Sequence, residues 1–317
     1  MPELEALLDA ELSAPVDAAV TRMVDAIRAR HRGVSAVLFY GSCLRHRTVS
    51  GVLDFYVLVD GYRLSHGSWL EAALGWLLPP NVFYVEVDTE DGRLRAKYAI
   101  ISARDFGRSA RGQRLDCRIW SRFCQPTRLV WARDEAARTA VLRAVRGATL
   151  TAVDRMLNWL PGDGPIQSFE PGELWRTAFR ETYRAELRGE KAETIDALYA
   201  AQSERFDRVT VAALRALEAR GKIRLVSSGT VLEVASDPGW RRRARLAWRV
   251  RRPLTKARGV LGLIKTPVTF DGWVDYGVWK VERHSGVRIE ISERQRRRPF
   301  LHAGPILWKL LRQRVLR

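Results

Sequence analysis

Gly41-Ser42, followed twelve positions later by Asp54, is the spacing in this chain with the clearest chemical content. An apolar run from Ala36 to Tyr40 leads into the pair, and a second from Val52 to Val59 carries the aspartate. These runs predict two buried strands joined by a polar loop. Glycine lets a chain turn sharply out of a strand, and such a turn offers N–H groups and the Ser42 hydroxyl to an anion. A carboxylate beside a phosphate-holding turn is what a Mg²⁺-nucleotide site needs, which makes Asp54 the candidate metal ligand. The alternative is an ordinary hairpin with Asp54 at a solvated edge. Lys97 is one of only seven lysines and lies in an otherwise apolar segment, Ala96 to Ser102. It either snorkels to solvent or holds a nucleotide phosphate.

Strand, Gly-Ser, spacer and acidic strand resemble the nucleotidyltransferase superfamily, in which the acidic element reads Asp-x-Asp or Asp-x-Glu. Position 56, where the second carboxylate would fall, is Tyr56. The resemblance implies a third carboxylate on a later strand, and Glu86 stands there. Asp60 shares the face of Asp54 on a two-residue period but lies about 20 Å along the strand, so Glu86 is the preferred partner.

The elements that must position these residues follow from periodicity. Leu7, Leu8, Leu12, Val16, Val20, Met23, Val24 and Ile27 predict a helical pair ahead of the first strand. Trp69 to Leu77 reads as a helix closed by Pro79-Pro80, Asn81 to Val87 and Leu94 to Ser102 as strands, and Asp91-Gly92 as their turn. Residues 134 to 160 read as a helix, and Pro161-Gly-Asp-Gly-Pro165 as a boundary. Helices at 174–187 and 194–217, then a hairpin around Ser227-Ser228-Gly229, suggest a winged-helix-like unit. The expected organisation is α+β: a nucleotidyltransferase-fold mixed sheet with flanking helices over 1–160, a helical winged-helix-like domain over 166–238, and a basic amphipathic region over 239–317.

Across 317 residues the 54 Lys and Arg outnumber 36 Asp and Glu, for a net charge of +18, and 47 of the cations are arginines. A chain this basic points to nucleic acid or an anionic membrane surface. No run approaches the roughly 20 apolar residues that span a bilayer. The acidic start Pro2-Glu-Leu-Glu does not read as a signal or transit peptide. Cys43, Cys117 and Cys124 have no metal or disulfide spacing, which suits a reducing cytoplasm. From Trp240 to Arg258, arginines interleave with Trp240, Leu246, Trp248, Val250 and Leu254; after Pro305, Leu307, Trp308, Leu310, Leu311 and Val315 share a helical face. Both patterns predict interfacial helices on anionic lipid; the rival for the tail is a surface helix docked on its own domain, and for 240–258 a solvated charged face or a nucleic-acid strip.

Five segments in order resemble the mitochondrial-type phosphatidate cytidylyltransferase (CDP-diacylglycerol synthase) family. They are Phe39-Tyr-Gly-Ser42 with Leu53-Asp-Phe55, Lys97-Tyr-Ala-Ile-Ile-Ser102, Ser121-Arg-Phe-Cys-Gln-Pro126, Tyr183-Arg-Ala-Glu-Leu-Arg-Gly-Glu190, and Lys256-Ala-Arg-Gly-Val-Leu-Gly-Leu-Ile-Lys265. That family also has a non-acidic residue where Tyr56 stands. Cys43, Arg47, Ser121 and Gln125 depart from its pattern. The resemblance implies transfer of CMP from CTP to phosphatidic acid with Mg²⁺, catalysed by Asp54 and Lys97. Tyr40, Gly41, Ser42, Lys97 and Arg122 would hold the nucleotide, Asp54 and Glu86 the metal, and Lys256, Arg258 and Lys265 the lipid headgroup. The expected location is cytoplasmic, on the inner face of the membrane, with an anionic bilayer rather than nucleic acid as partner. A transferase acting on another phospholipid, RNA or protein, or a degenerate nucleotide-binding module, is the alternative.

Overall fold

The computed structural model describes residues 2–90, 92–162, 164–186 and 192–269. The first half runs α1 (Pro2–Ser13), α2 (Ala18–Ala29), β1 (Val34–Tyr40), α3 (Ser42–Arg45), β2 (Val52–Val59), α4 (Tyr62–Ser65), α5 (Trp69–Leu77), β3 (Asn81–Thr89), β4 (Gly92–Ser102), α6 (Ala103–Ala110), α7 (Arg118–Phe123), β5 (Arg128–Ala132) and α8 (Glu135–Leu157). The second runs β6 (Ile166–Phe169), α9 (Pro171–Ala185), α10 (Ala192–Ala200), α11 (Ser203–Glu218), β7 (Arg224–Ser228), β8 (Leu232–Ala235) and α12 (Pro238–Thr269).

Five strands form one mixed sheet in the order β3-β4-β2-β1-β5. Only β2 and β4 pair in parallel, because α4, α5 and β3 form the crossover between them. β1 and β2 are the centre of the sheet and are buried on both faces, which explains their nearly unbroken apolar runs. The two-residue period then sorts their side chains. Leu38, Tyr56, Leu58, Ala99 and Ile101 face a large core beneath α1, α6, α7 and α8; Val37, Phe39, Phe55 and Val57 face a second core beneath α2. Asp54 and Lys97 therefore lie on the larger-core face, just beyond the last buried residues of their strands.

α8 is the central support. Val141, Ala144, Val145, Ala148, Ala152, Val153 and Met156 are buried at helical spacing, and the helix packs on α1, α6, α7, α9 and α11. The same core continues through Leu174, Trp175, Phe179, Phe206 and Leu214, so buried packing runs across the 161–165 boundary. Beyond it, a three-stranded sheet, β6-β8-β7, stands beside α9, α10 and α11.

The structure corrects several local expectations. The stretch 194–217 is two helices broken at Ala201-Gln202, with α11 restarting at Ser203. The loop after Gly41 opens with a helical turn, α3. Residues 240–265 form one helix through the glycine-rich segment. All three cysteines are buried and free. The amphipathic segment 305–317 lies outside the described residues.

Candidate active site

Tyr40 leaves β1 opposite Asp54 of β2, and Asp54 in turn pairs with Lys97 of β4. Three side chains distant in sequence thus meet at one end of the sheet. Lys97 Nζ lies 3.7 Å from Asp54 Oδ1, and both groups keep access to solvent, at 37% and 24% exposure. Gly41 makes the approach possible. Its φ is +94°, and a Cβ there would sit 2.7 Å from Asp54 Oδ2. Any side chain at 41 would both strain the turn and displace the carboxylate. Tyr56 follows Asp54 on the same face but is buried among Tyr40, Phe106 and Phe123, with ring centroids 5.1 to 6.3 Å away. This aromatic cluster, with Tyr40 at its surface, is the floor of the site.

Over this floor opens a cleft of about 410 Å³. The sheet side gives Tyr40, Gly41, Ser42, Arg45, His46, Asp54 and Lys97, while α9 and α10 give Tyr183, Thr194 and Leu198 across from them. Arg122 enters from α7, beside Gln125. Its guanidinium is held in a bidentate pair by Glu186, at 2.8 and 3.5 Å, and it donates to the Arg118 carbonyl at 2.8 Å. Ser121 Oγ donates to the same carboxylate at 2.9 Å. Burial would pull the Arg122 pKa down, but Glu186, joined by Tyr56, Tyr40 and Cys117 around the guanidinium, raises it overall, so Arg122 stays ionised.

Of the nucleotide residues expected from sequence, Tyr40, Gly41, Ser42, Lys97 and Arg122 all line this cleft. Arg45 and His46 line it too, although in sequence they read only as polar loop residues. Glu186 was not singled out as a residue at all, because its role exists only through contact with a helix 64 positions earlier.

Glu86 is a correction. It sits two strands from Asp54, roughly 10 Å across the sheet. Tyr84 donates to its Oε1 at 2.8 Å, Arg95 to Oε1 at 3.1 Å and Arg93 to Oε2 at 3.1 Å, so both oxygens serve a strand-edge ion network. Asp60 pairs with Arg133 at 2.6 Å, away from the cleft. Among the described residues no three His, Cys, Asp or Glu side chains cluster as a metal cage, and Asp54 is the one carboxylate lining the cleft. Mg²⁺ often takes one or two carboxylates and completes its shell with waters and substrate phosphates. The donor set therefore fits magnesium only as an ion that arrives with a triphosphate.

Two of the expected headgroup residues are corrected as well. Lys265 is buried, and its Nζ donates to the Leu78 carbonyl, to the Pro80 carbonyl at 2.9 Å and to Asn81 Oδ1 at 2.7 Å. It satisfies carbonyls that the end of α5 leaves open. Arg258 faces Asp116, its Nε 3.1 Å from Oδ2. Lys256 is half-buried on α12. Burial, then the charges of Arg118 and Arg258, pull the Lys265 pKa from its ordinary range down to about 7. A lysine with a lowered folded-state pKa penalises folding fully below pH 7, where it is charged in both states. The penalty fades as pH rises toward 10, because the folded state gives up its proton first. Urea unfolding at pH 7 and pH 9 should show the wild type gaining about 2 kcal/mol relative to Lys265→Met. Parallel pH profiles for the two proteins would contradict it.

α5 and α12 also carry the exposed apolar surface nearest to these contacts. Trp69, Trp76 and Leu77 are 66 to 76% exposed on α5. On α12, Leu246, Val250, Leu254 and Leu261 form an exposed stripe, with the exposed Arg242, Arg243 and Arg249 on the same helix. Among the described residues no helix is long and apolar enough to cross a membrane.

The chain matches no protein-family model and no curated protein. Among solved structures it is similar to a nucleotidyltransferase-like protein from Exiguobacterium sibiricum, at 9% identity, over 69% of this chain and 98% of that one, with a TM-score of 0.27. A likeness of that size bears on neither activity nor substrate. The α+β fold rests on the strand order and register described above.

Proposed function

We propose that this chain is a nucleotidyltransferase working at a membrane surface, moving CMP from CTP to phosphatidic acid and releasing pyrophosphate. The observation that carries the reading is the cleft itself: a glycine turn, one carboxylate and several cations gathered over the end of a mixed sheet. Cytidine and phosphatidate come from the ordered resemblance of five sequence segments.

In this reading the Gly41-Ser42 turn cradles the triphosphate through backbone N–H groups and the Ser42 hydroxyl. Lys97, Arg45 and Arg122 offset the negative charge of the phosphates, and Arg122 does so from a fixed position because Glu186 holds its guanidinium. Asp54 would hold magnesium, which when bound supplies charge neutralisation at the phosphates. A phosphate oxygen of the acceptor forms a bond to the α-phosphorus as the bond to the β-phosphate oxygen breaks, and the leaving pyrophosphate carries away the electron pair. A phosphomonoester acceptor is already anionic, so positioning matters more than a general base. The exposed Trp69, Trp76 and Leu77 of α5 and the Leu246, Val250, Leu254 and Leu261 stripe of α12, with arginines beside that stripe, support docking on an anionic bilayer.

The test is pyrophosphate release by the purified protein with Mg²⁺, each nucleoside triphosphate in turn, and phosphatidic acid vesicles. Release with CTP that depends on the vesicles is expected. Release with no triphosphate would sink the proposal. Release with CTP but another acceptor would keep the transferase and remove the phosphatidate assignment.

A further inference from the structure

A second set of concavities lies along α8, and it shares no lining residue with the cleft. A hollow of about 420 Å³ between α6 and α8 passes into one of about 540 Å³ between α8 and the end of α11, through shared Arg111, Gln113 and Arg143. That hollow meets a third, of about 360 Å³ against α12, through shared Asp154 and Arg155. The floor is one helical face, since Arg143, Arg146, Thr151 and Arg155 follow each other at spacings of three to five. Arg143 to Arg155 alone covers about 18 Å of helix.

The groove is strongly charged. Ten cationic side chains line it against one lining carboxylate, Asp154, which Lys222 already pairs at 2.8 Å; of the ten, Arg146 also pairs with Glu5 of α1. α6 and its end provide Arg104, Arg108 and Arg111, all exposed, and none of the three is ion-paired with a described carboxylate. Holding so many arginines together in one groove is unfavourable without an anion to share them. Their planar forks match phosphate oxygens. At the α12 end the lining changes to tryptophan. Trp159 and Trp248 lie with ring centroids 4.6 Å apart, and Trp240 beside them is 56% exposed.

We infer that this groove binds a single-stranded polynucleotide, with the arginines along its backbone and Trp240 against an unstacked base. Phosphate-tracking cations that end in an accessible aromatic face describe single-strand binding, since a duplex keeps its base faces covered. A bilayer fits the groove poorly. Its two α6–α8–α11 hollows contain none of the exposed large apolar side chains that lipid insertion needs; most of those lie on α5 and along α12. The inference departs from the sequence expectation of a lipid partner alone, and it does not rest on the reading of the cleft.

The test is fluorescence anisotropy of the full chain with a fluorescein-labelled oligouridylate, titrated over salt. The Arg104→Ala/Arg143→Ala double variant and Trp240→Ala alter exposed groove residues, and circular dichroism checks that both variants fold. Wild-type affinity should fall steeply with salt, and the double variant should lose about 1.4 from the log–log slope, near 0.7 per arginine. Trp240→Ala should weaken binding roughly tenfold, while pyrophosphate release and flotation with anionic vesicles stay as in the wild type. Three results would overturn the inference: no salt-dependent binding, equal binding of inorganic polyphosphate with no effect at Trp240, or loss of vesicle flotation in the arginine variant.

Discussion

Asp54→Asn is expected to lower pyrophosphate release by about a thousandfold while leaving the fold intact. Among the described residues Asp54 is the one carboxylate lining the cleft, and its Oδ1 faces Lys97 at 3.7 Å. The proposed chemistry loads this end of the sheet with a triphosphate, and only Asp54 offers an anionic oxygen to the accompanying cation. Asparagine preserves shape and removes the charge, and a loss of that size corresponds to about 4 kcal/mol of transition-state stabilisation. Stability should hardly change, because a pair this exposed contributes at most about 1 kcal/mol. Steady-state release and thermal unfolding, measured together on the same preparation, separate the two effects. Activity within threefold of wild type would mean that Asp54 only balances Lys97 and that the catalytic assignment is wrong.

Glu186→Gln should have the largest effect on stability. The carboxylate is 4% exposed and receives Arg122 and Ser121 at once, with Cys117 Sγ 3.7 Å away. Removing its charge leaves Arg122 largely buried without a counter-ion, a change that costs about 3–5 kcal/mol in comparable settings. For a chain of this size that lowers the unfolding midpoint by roughly 6 °C. A second variant isolates the cause. Replacing both residues by leucine removes the stranded charge, so Arg122→Leu/Glu186→Leu should unfold closer to wild type than Glu186→Gln does. It should still release little pyrophosphate, because the cleft has lost its fixed guanidinium. A Glu186→Gln midpoint within 2 °C of wild type would show that the pair contributes little.

The two predictions draw on different levels of information. Asp54 was legible in the sequence. Its apolar strand, the preceding Gly-Ser turn and their spacing are local features, and local periodicity fixed β2 at Val52–Val59 and α5 at Trp69–Leu77 to the residue. Glu186 was not legible as a site residue: it lies in the Tyr183–Glu190 segment of the resemblance, but nothing local gives its carboxylate a partner. It acquires a role only when α9 packs against α7 and brings it to Arg122.

The same distinction accounts for the corrections. In the sequence Arg258 closes a basic amphipathic stretch and Lys265 a short apolar one, and the family resemblance implied a headgroup role for both. The tertiary structure turned Lys265 onto the open carbonyls of α5 and Arg258 onto Asp116. Glu86 carried the right charge on the right kind of strand, but strand order put β4 between it and Asp54, and arginines on the neighbouring strand took its oxygens. The sequence by itself determined the strands, the glycine turn, the position of Asp54 and the excess of arginine. Only the tertiary structure decided which of those charges meet. Charge and periodicity are properties of a residue and its near neighbours, whereas register and helix packing join groups that the chain keeps 40 to 190 positions apart.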